Sequence, residues 1–327
     1  FLPECSLNQS EVSAHMVSRR SIRVKVMQLL YSLDRDPGVS QKEILLRYNQ
    51  AVEMAYESLL FNLFLMIEIT HQAIADRDTR HAKLRPEPDD LRWNAKLYEN
   101  DLIQCLANNK SLRSYFDKRN FKSRIDQDLI QKMYNTFSRT PEYHQYVFGE
   151  VDPAGHREYL LDIYRELRKH DIYEEMVDDQ YPFWQEDKSL VIGALKKIFK
   201  QLPDDREKFY EDYLPDKDTV EDFGLRLIQI TMEQAPALEE LIEPTLKNWD
   251  MERLAVLDVI LIKMALVEFL YFPTIPTKVT LDEYVDISKE YSTPKSKDFV
   301  NGILDRLMKS LSEEGKIKKE GRGLLEE

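Results

Sequence analysis

Apolar positions recur at helical rather than strand spacing along most of the chain. Residues 18–33 place Ile22, Val26, Leu29, Leu30 and Leu33 on one stripe, and a 3.6-residue period of this kind predicts a helix with one buried face. Arg20, Arg23, Gln28 and Tyr31 fall opposite that stripe, with Lys25 on its flank and Arg19 at the mouth of the helix. A positive face tipped by an aromatic ring is therefore expected in water. Residues 41–74 read as one long helix, or two in line, with Leu45, Val52, Tyr56, Leu59, Leu63 and Met66 near one side. The run Arg85-Pro86-Glu87-Pro88-Asp89-Asp90 breaks the periodicity into a loop. Helical patterns resume from Leu91, and again over 125–137, 157–169 and 188–202, with prolines at 141, 153, 203 and 215 marking boundaries.

The last third is more regular, with one helix predicted for each of 222–234, 238–248, 251–272, 281–291 and 295–311. Residues 251–272 are apolar on nearly every side apart from Arg253, Asp258, Lys263 and Glu268, which predicts a helix surrounded by others. Pro273 and Pro276 end it, and Thr280 with Glu283 reads as a capping box opening the next helix. In the final helix Phe299, Ile303, Leu307 and Leu311 form a stripe, and Gly302 would admit a close neighbour. With nine glycines and few strand patterns in 327 residues, the expected fold class is all-α.

A hydrophobic content of 43% can supply a sizeable core. The most apolar runs, 59–69 and 259–272, are interrupted by Asn62 and Glu68 and by Lys263 and Glu268, so no membrane span is expected. Cys5 and Cys105 do not suggest a disulfide framework, which fits a reducing cytoplasm. Residues 1–15 lack the pattern of a secretion signal and read as a leader or an expression remnant. The acidic turn with Glu174, Glu175, Asp178 and Asp179 reads as solvated helix ends, and the histidines have no metal-ligand spacing. No metal or other cofactor is expected.

Charge then changes the picture. The chain carries a net charge of −13, yet Arg19, Arg20, Arg23 and Lys25 crowd one helix N-terminus, where the macrodipole disfavours cations. Helix stability does not require them there. Arginines for phosphates, an amide for base edges and a ring for stacking suit single-stranded RNA, and the acidic remainder confines such a site to this patch.

The pattern Arg-Arg-x-x-Arg-x-x-x-x-Gln-x-Leu-Tyr at 19–31 and the pattern Ile-Pro-x-Lys-Val-x-Leu-x-Glu-x-Val at 275–285 together carry a resemblance. With Lys289 and Phe299-Val300-Asn301-Gly302-Ile303-Leu304-Asp305, the chain resembles the NusB transcription antitermination family. The match covers 18–34 and 219–309, roughly a third of the sequence. The resemblance implies a NusB-like bundle of two helical subdomains from 16–34 and 219–311, a mostly helical insertion at 35–218, and a charged tail at 312–327. It implies binding of boxA-type single-stranded RNA together with the ribosomal protein NusE, within the RNA polymerase elongation complex. A homodimer that hides the RNA face is also compatible with the family.

Carried over residue by residue, the RNA-binding set is Arg19, Arg20, Arg23, Lys25, Gln28, Tyr31, Lys295, Lys297, Phe299 and Asn301. Phe299 has an equal claim to the core through its stripe. Asp258, Lys263 and Glu268 fall toward the partner-protein surface, although an internal ion pair explains Asp258 equally well. Lys263 stands where the family usually has arginine, Val267 where it has an aromatic residue, and Lys295 where an acid is common. NusB-like domains also occur fused to RNA methyltransferases, but neither Gly-x-Gly-x-x-Gly nor Gly-x-x-x-x-Gly-Lys is present, so no enzyme is expected. The rival reading is a non-enzymatic scaffold whose insertion binds a partner.

Overall fold

The computed structural model describes residues 16–36, 38–246 and 254–324. The expected leader at 1–15 lies outside them, as do the end of the helix predicted for 238–248 and the start of the one predicted for 251–272. Every regular element among the described residues is helical. In chain order these are α1 (Arg19–Arg35), α2 (Gln41–His81), α3 (Pro88–Arg92), α4 (Lys96–Glu99), α5 (Asp101–Asn108), α6 (Lys110–Lys118), α7 (Gln127–Ser138) and α8 (Pro141–Phe148). There follow α9 (Pro153–Leu167), α10 (Asp171–Asp178), α11 (Trp184–Gln201), a π-helical segment Asp218–Leu225, α12 (Arg226–Glu233), α13 (Ala235–Ile242), α14 (Val256–Tyr271), α15 (Thr277–Tyr291) and α16 (Ser296–Glu313).

The chain divides into two compact units, one built mainly from Met54–Pro215 and one from Val17–Glu53 with Asp216–Glu327. The first has its own core, in which Phe61, Phe64, Phe116 and Phe121 pack as a ring cluster with centroids 5.2–6.4 Å apart. Its short helices follow from frequent caps: Asn100, Asn109, Asp126, Thr140 and Asp152 each accept a backbone N–H of the helix they open. The apolar run of α2 is long enough to cross a membrane, yet 72% of its most apolar window is buried inside the protein, as in a core helix. Its polar interruption, Asn62, is satisfied there: the amide donates to Ser58 O (2.8 Å) and accepts the Tyr173 hydroxyl (2.5 Å). In the acidic turn, Glu174 accepts from Lys188 Nζ (2.7 Å) and Trp184 Nε1 (3.1 Å).

In the second unit α14, α15 and α16 pack on one another, and α1 lies against α14 and the π-helical segment. The single helix predicted for 222–234 instead begins as a wider π turn. That turn carries the backbone close to its neighbours, since a Cβ on Gly224 would stand 2.0 Å from Tyr48 Oη and 2.6 Å from Ile22 Cγ2. The Tyr48 hydroxyl uses this space to donate to Val220 O (2.7 Å). Gly302, expected to be such a contact, has nothing within 4 Å of an added Cβ; the close approach belongs to Gly224.

The predicted capping box at Thr280 is also corrected. Helix α15 starts at Thr277 behind Pro276, so Thr280 is already inside it, and its hydroxyl bonds Glu268 Oε2 (3.2 Å) and Pro276 O (3.3 Å). The charged tail is docked over its described part. Lys319 Nζ donates to the carbonyls of Glu268 (3.1 Å) and Phe272 (3.0 Å) at the end of α14, where a cation is favourable. Glu320 N–H donates to Pro273 O (2.9 Å).

Candidate nucleic-acid interface

Helix α1 opens with Ser18 and Ser21 exchanging side-chain and backbone hydrogen bonds, each 3.1 Å. It is buried on almost every side from Ser21 to Met27, so its cations part company. Arg19 is exposed, with its guanidinium 5.5 Å from the Phe223 ring centroid. Arg20 is half-buried and meets two carboxylates of α15, Glu290 Oε2 at 3.0 Å and Glu283 Oε2 at 3.6 Å. Arg23 and Lys25 are buried, which corrects their expected place on a water-facing surface. The helix has partners around most of its circumference, so a single apolar stripe understates what it buries.

Arg23 forms the centre of a buried network. Its Nε and Nη2 donate to the two oxygens of Glu268 at 2.7 and 2.9 Å, and Nη1 donates to Glu283 at 3.3 Å. Glu268 also accepts the Tyr284 hydroxyl (2.6 Å) and the Thr280 hydroxyl (3.2 Å). The guanidinium lies 5.2 Å from the Phe223 centroid and 5.7 Å from that of Tyr284. Burial alone would lower the Arg23 pKa, but the Glu268 carboxylate against it raises the value on balance. Burial, and then Glu268, push the Tyr284 phenol well up.

The partner-facing acids turn inward as well. Glu268 is fully buried in the Arg23 network, and Asp258 is buried where it accepts Ser292 Oγ and Ser296 Oγ, each at 2.7 Å, tying α14 to the α15–α16 turn. Burial corrects the expected partner-facing place of Glu268, and Asp258 takes its internal alternative, with serine hydroxyls in place of an ion pair. Each is a charge on a helix buried nearly all round, so each requires an internal partner. Lys263 pairs with Glu239 on α13 at 2.6 Å.

The rest of the expected set stays accessible to differing degrees. Tyr31 is exposed beside Arg35, 5.2 Å from ring centroid to guanidinium, and Gln28 is half-buried. At the start of α16, Lys295, Lys297 and Asn301 are exposed and Phe299 is half-buried, while Ile303, Leu307 and Leu311 carry the buried stripe. The structure therefore joins Arg20 and Arg23 to α15, and α15 leads through one turn into the lysines of α16. It records no direct bond between α1 and Lys295, Lys297 or Asn301. Sequence reasoning missed Phe223, Glu283 and Glu290 as residues that shape this surface. An acid in the most apolar helix, Glu268, was the signal that an internal hydrogen-bonding or cationic partner was needed.

A model of the NusB family matches residues 185–309. The transcription antitermination protein NusB of Salinibacter ruber is 38% identical over 112 residues, 34% of this chain and 70% of that protein. The chain belongs to the NusB family. The NusB of Chloroherpeton thalassium is 36% identical over 32% of this chain and 50% of its own length, and that of Pseudothermotoga lettingae 41% over 28% and 65%. A solved T. maritima NusB is 27% identical and covers 49% of this chain and 93% of its own, with a TM-score of 0.28, too low to carry a structural argument. The matched span holds α14, α15 and most of α16 with Glu268, Glu283, Glu290, Lys295, Lys297, Phe299 and Asn301, whereas α1 lies outside it.

Proposed function

We propose that the chain acts in transcription antitermination, binding boxA-type single-stranded RNA together with NusE and joining the RNA polymerase elongation complex in the cytoplasm, without catalysis. Membership of the NusB family, shown by the S. ruber protein over 70% of its length, carries this reading. The accessible cations suit it: Arg19, Arg20, Lys295 and Lys297 can meet phosphates, exposed Tyr31 and half-buried Phe299 can stack on bases, and Gln28 and Asn301 can read base edges. Buried Arg23 supports this surface through Glu283, which it shares with Arg20. The 35–218 segment is read as a helical insertion.

The test is a titration of a boxA-type RNA oligonucleotide with and without NusE. Arg20→Ala and Lys297→Ala should each weaken binding and reduce the magnitude of the salt slope by about 0.7, the value for one single-strand phosphate contact. Absence of RNA affinity in the presence of NusE at low salt would refute the proposal.

A further inference from the structure

The guanidinium of Arg20 is engaged on both sides by α15: Nη2 donates to Glu290 Oε2 at 3.0 Å, and Nη1 lies 3.6 Å from Glu283 Oε2. These acids are seven residues apart, so roughly 10 Å of helix separates them, and Arg20 spans the gap. They are not equivalent. Glu283 is also held by buried Arg23 at 3.3 Å and is mostly covered, whereas Glu290 is 56% exposed and pairs with no second cation among the described residues. Glu290 is thus the releasable partner and Glu283 the fixed one. Exposed Asp282 and Asp286 precede Glu290 at four-residue intervals, with exposed Lys278 and Lys289 at the two ends of that face.

We infer that Glu290 sets the affinity of the RNA site: its carboxylate holds the Arg20 Nη2 that a backbone phosphate must take, and RNA binds by exchanging one anion for the other. The inference rests on the RNA-binding reading above. Binding then breaks one exposed ion pair and forms one charge-assisted pair with a phosphate, while Glu283 keeps the guanidinium in place.

The test measures the anisotropy of a labelled boxA-type RNA oligonucleotide with NusE for the parent chain, E290Q, R20A and the double variant, each checked for helical content. E290Q should bind about two- to fivefold more tightly, the range an exposed ion pair supplies, and should have no effect in the R20A background. Unchanged or weaker binding by E290Q, with the parent binding normally, would overturn the inference alone. An equal gain with and without Arg20 would show general repulsion and also overturn it. If neither the parent nor E290Q binds, the RNA-binding reading falls and takes this inference with it.

Discussion

Arg20 and Arg23 lie less than one helical turn apart, yet one meets solvent and the other sits in a closed network with Glu268, Tyr284 and Thr280. Charge content marks both as cations, but helical periodicity alone cannot say how many sides of α1 are covered. The cost of an isolated internal carboxylate ties Glu268 to a buried cation, and Arg23 is the residue that meets it. Removing one member of such a pair leaves the other uncompensated, so Arg23→Ala should lower unfolding free energy by about 3–5 kcal/mol in urea titrations. Arg23→Lys should recover only part of this, because an ammonium cannot bind both oxygens in parallel.

A second residue-scale prediction concerns His156, whose Nδ1 lies 2.8 Å from the Tyr146 hydroxyl. Burial, followed by the Lys96 charge, holds its pKa below the ordinary imidazole value of 6.5. The folded state therefore disfavours the proton. This contribution to stability is complete above the unfolded pKa of about 6.5 and is lost as pH falls through the lower folded value. Urea midpoints measured from pH 7.5 to 5 should fall less steeply for His156→Asn than for the parent.

At the scale of elements, the helices of the last third are legible because their apolar periods are long and proline-bounded. The π turn at Asp218–Leu225 is not, since its residues fit an α-period equally well and the neighbours it packs against, Tyr48 and Ile22, lie far away in sequence. The start of α15 departs from the capping pattern for a related reason: Thr280 has capping chemistry, but the helix opens earlier behind Pro276 and Glu268 takes the hydroxyl. Gly224→Ala should destabilise by about 1–3 kcal/mol through overpacking. Tyr48→Phe removes the atom closest to the new Cβ, so denaturation of the double variant should show a smaller loss than the two single losses combined.

For the whole molecule, the net charge of −13 makes the proposed RNA surface a local exception. Four accessible cations, Arg19, Arg20, Lys295 and Lys297, would give a salt slope of about −3 if each neutralises one phosphate of a single strand. Affinity measured between 50 and 200 mM salt should then drop by about 50-fold. The family-level organisation was legible because its motifs survive in order at 19–31 and 275–305. The partners of Asp258 and Glu268 were not, since motif matching assigns a residue to a family position without showing which neighbours enclose its side chain.

The Arg23–Glu268 pair joins residues 245 positions apart. On a ribosome adding about 5–20 residues per second, α1 emerges roughly 10–50 seconds before the carboxylate that completes its surroundings. Over that interval a helix destined for the interior lacks its counter-ion and the packing of α14, while Met54–Pro215, a unit with a core of its own, is synthesised. The order of synthesis thus makes the earliest helix of the second unit one of the last to become secure.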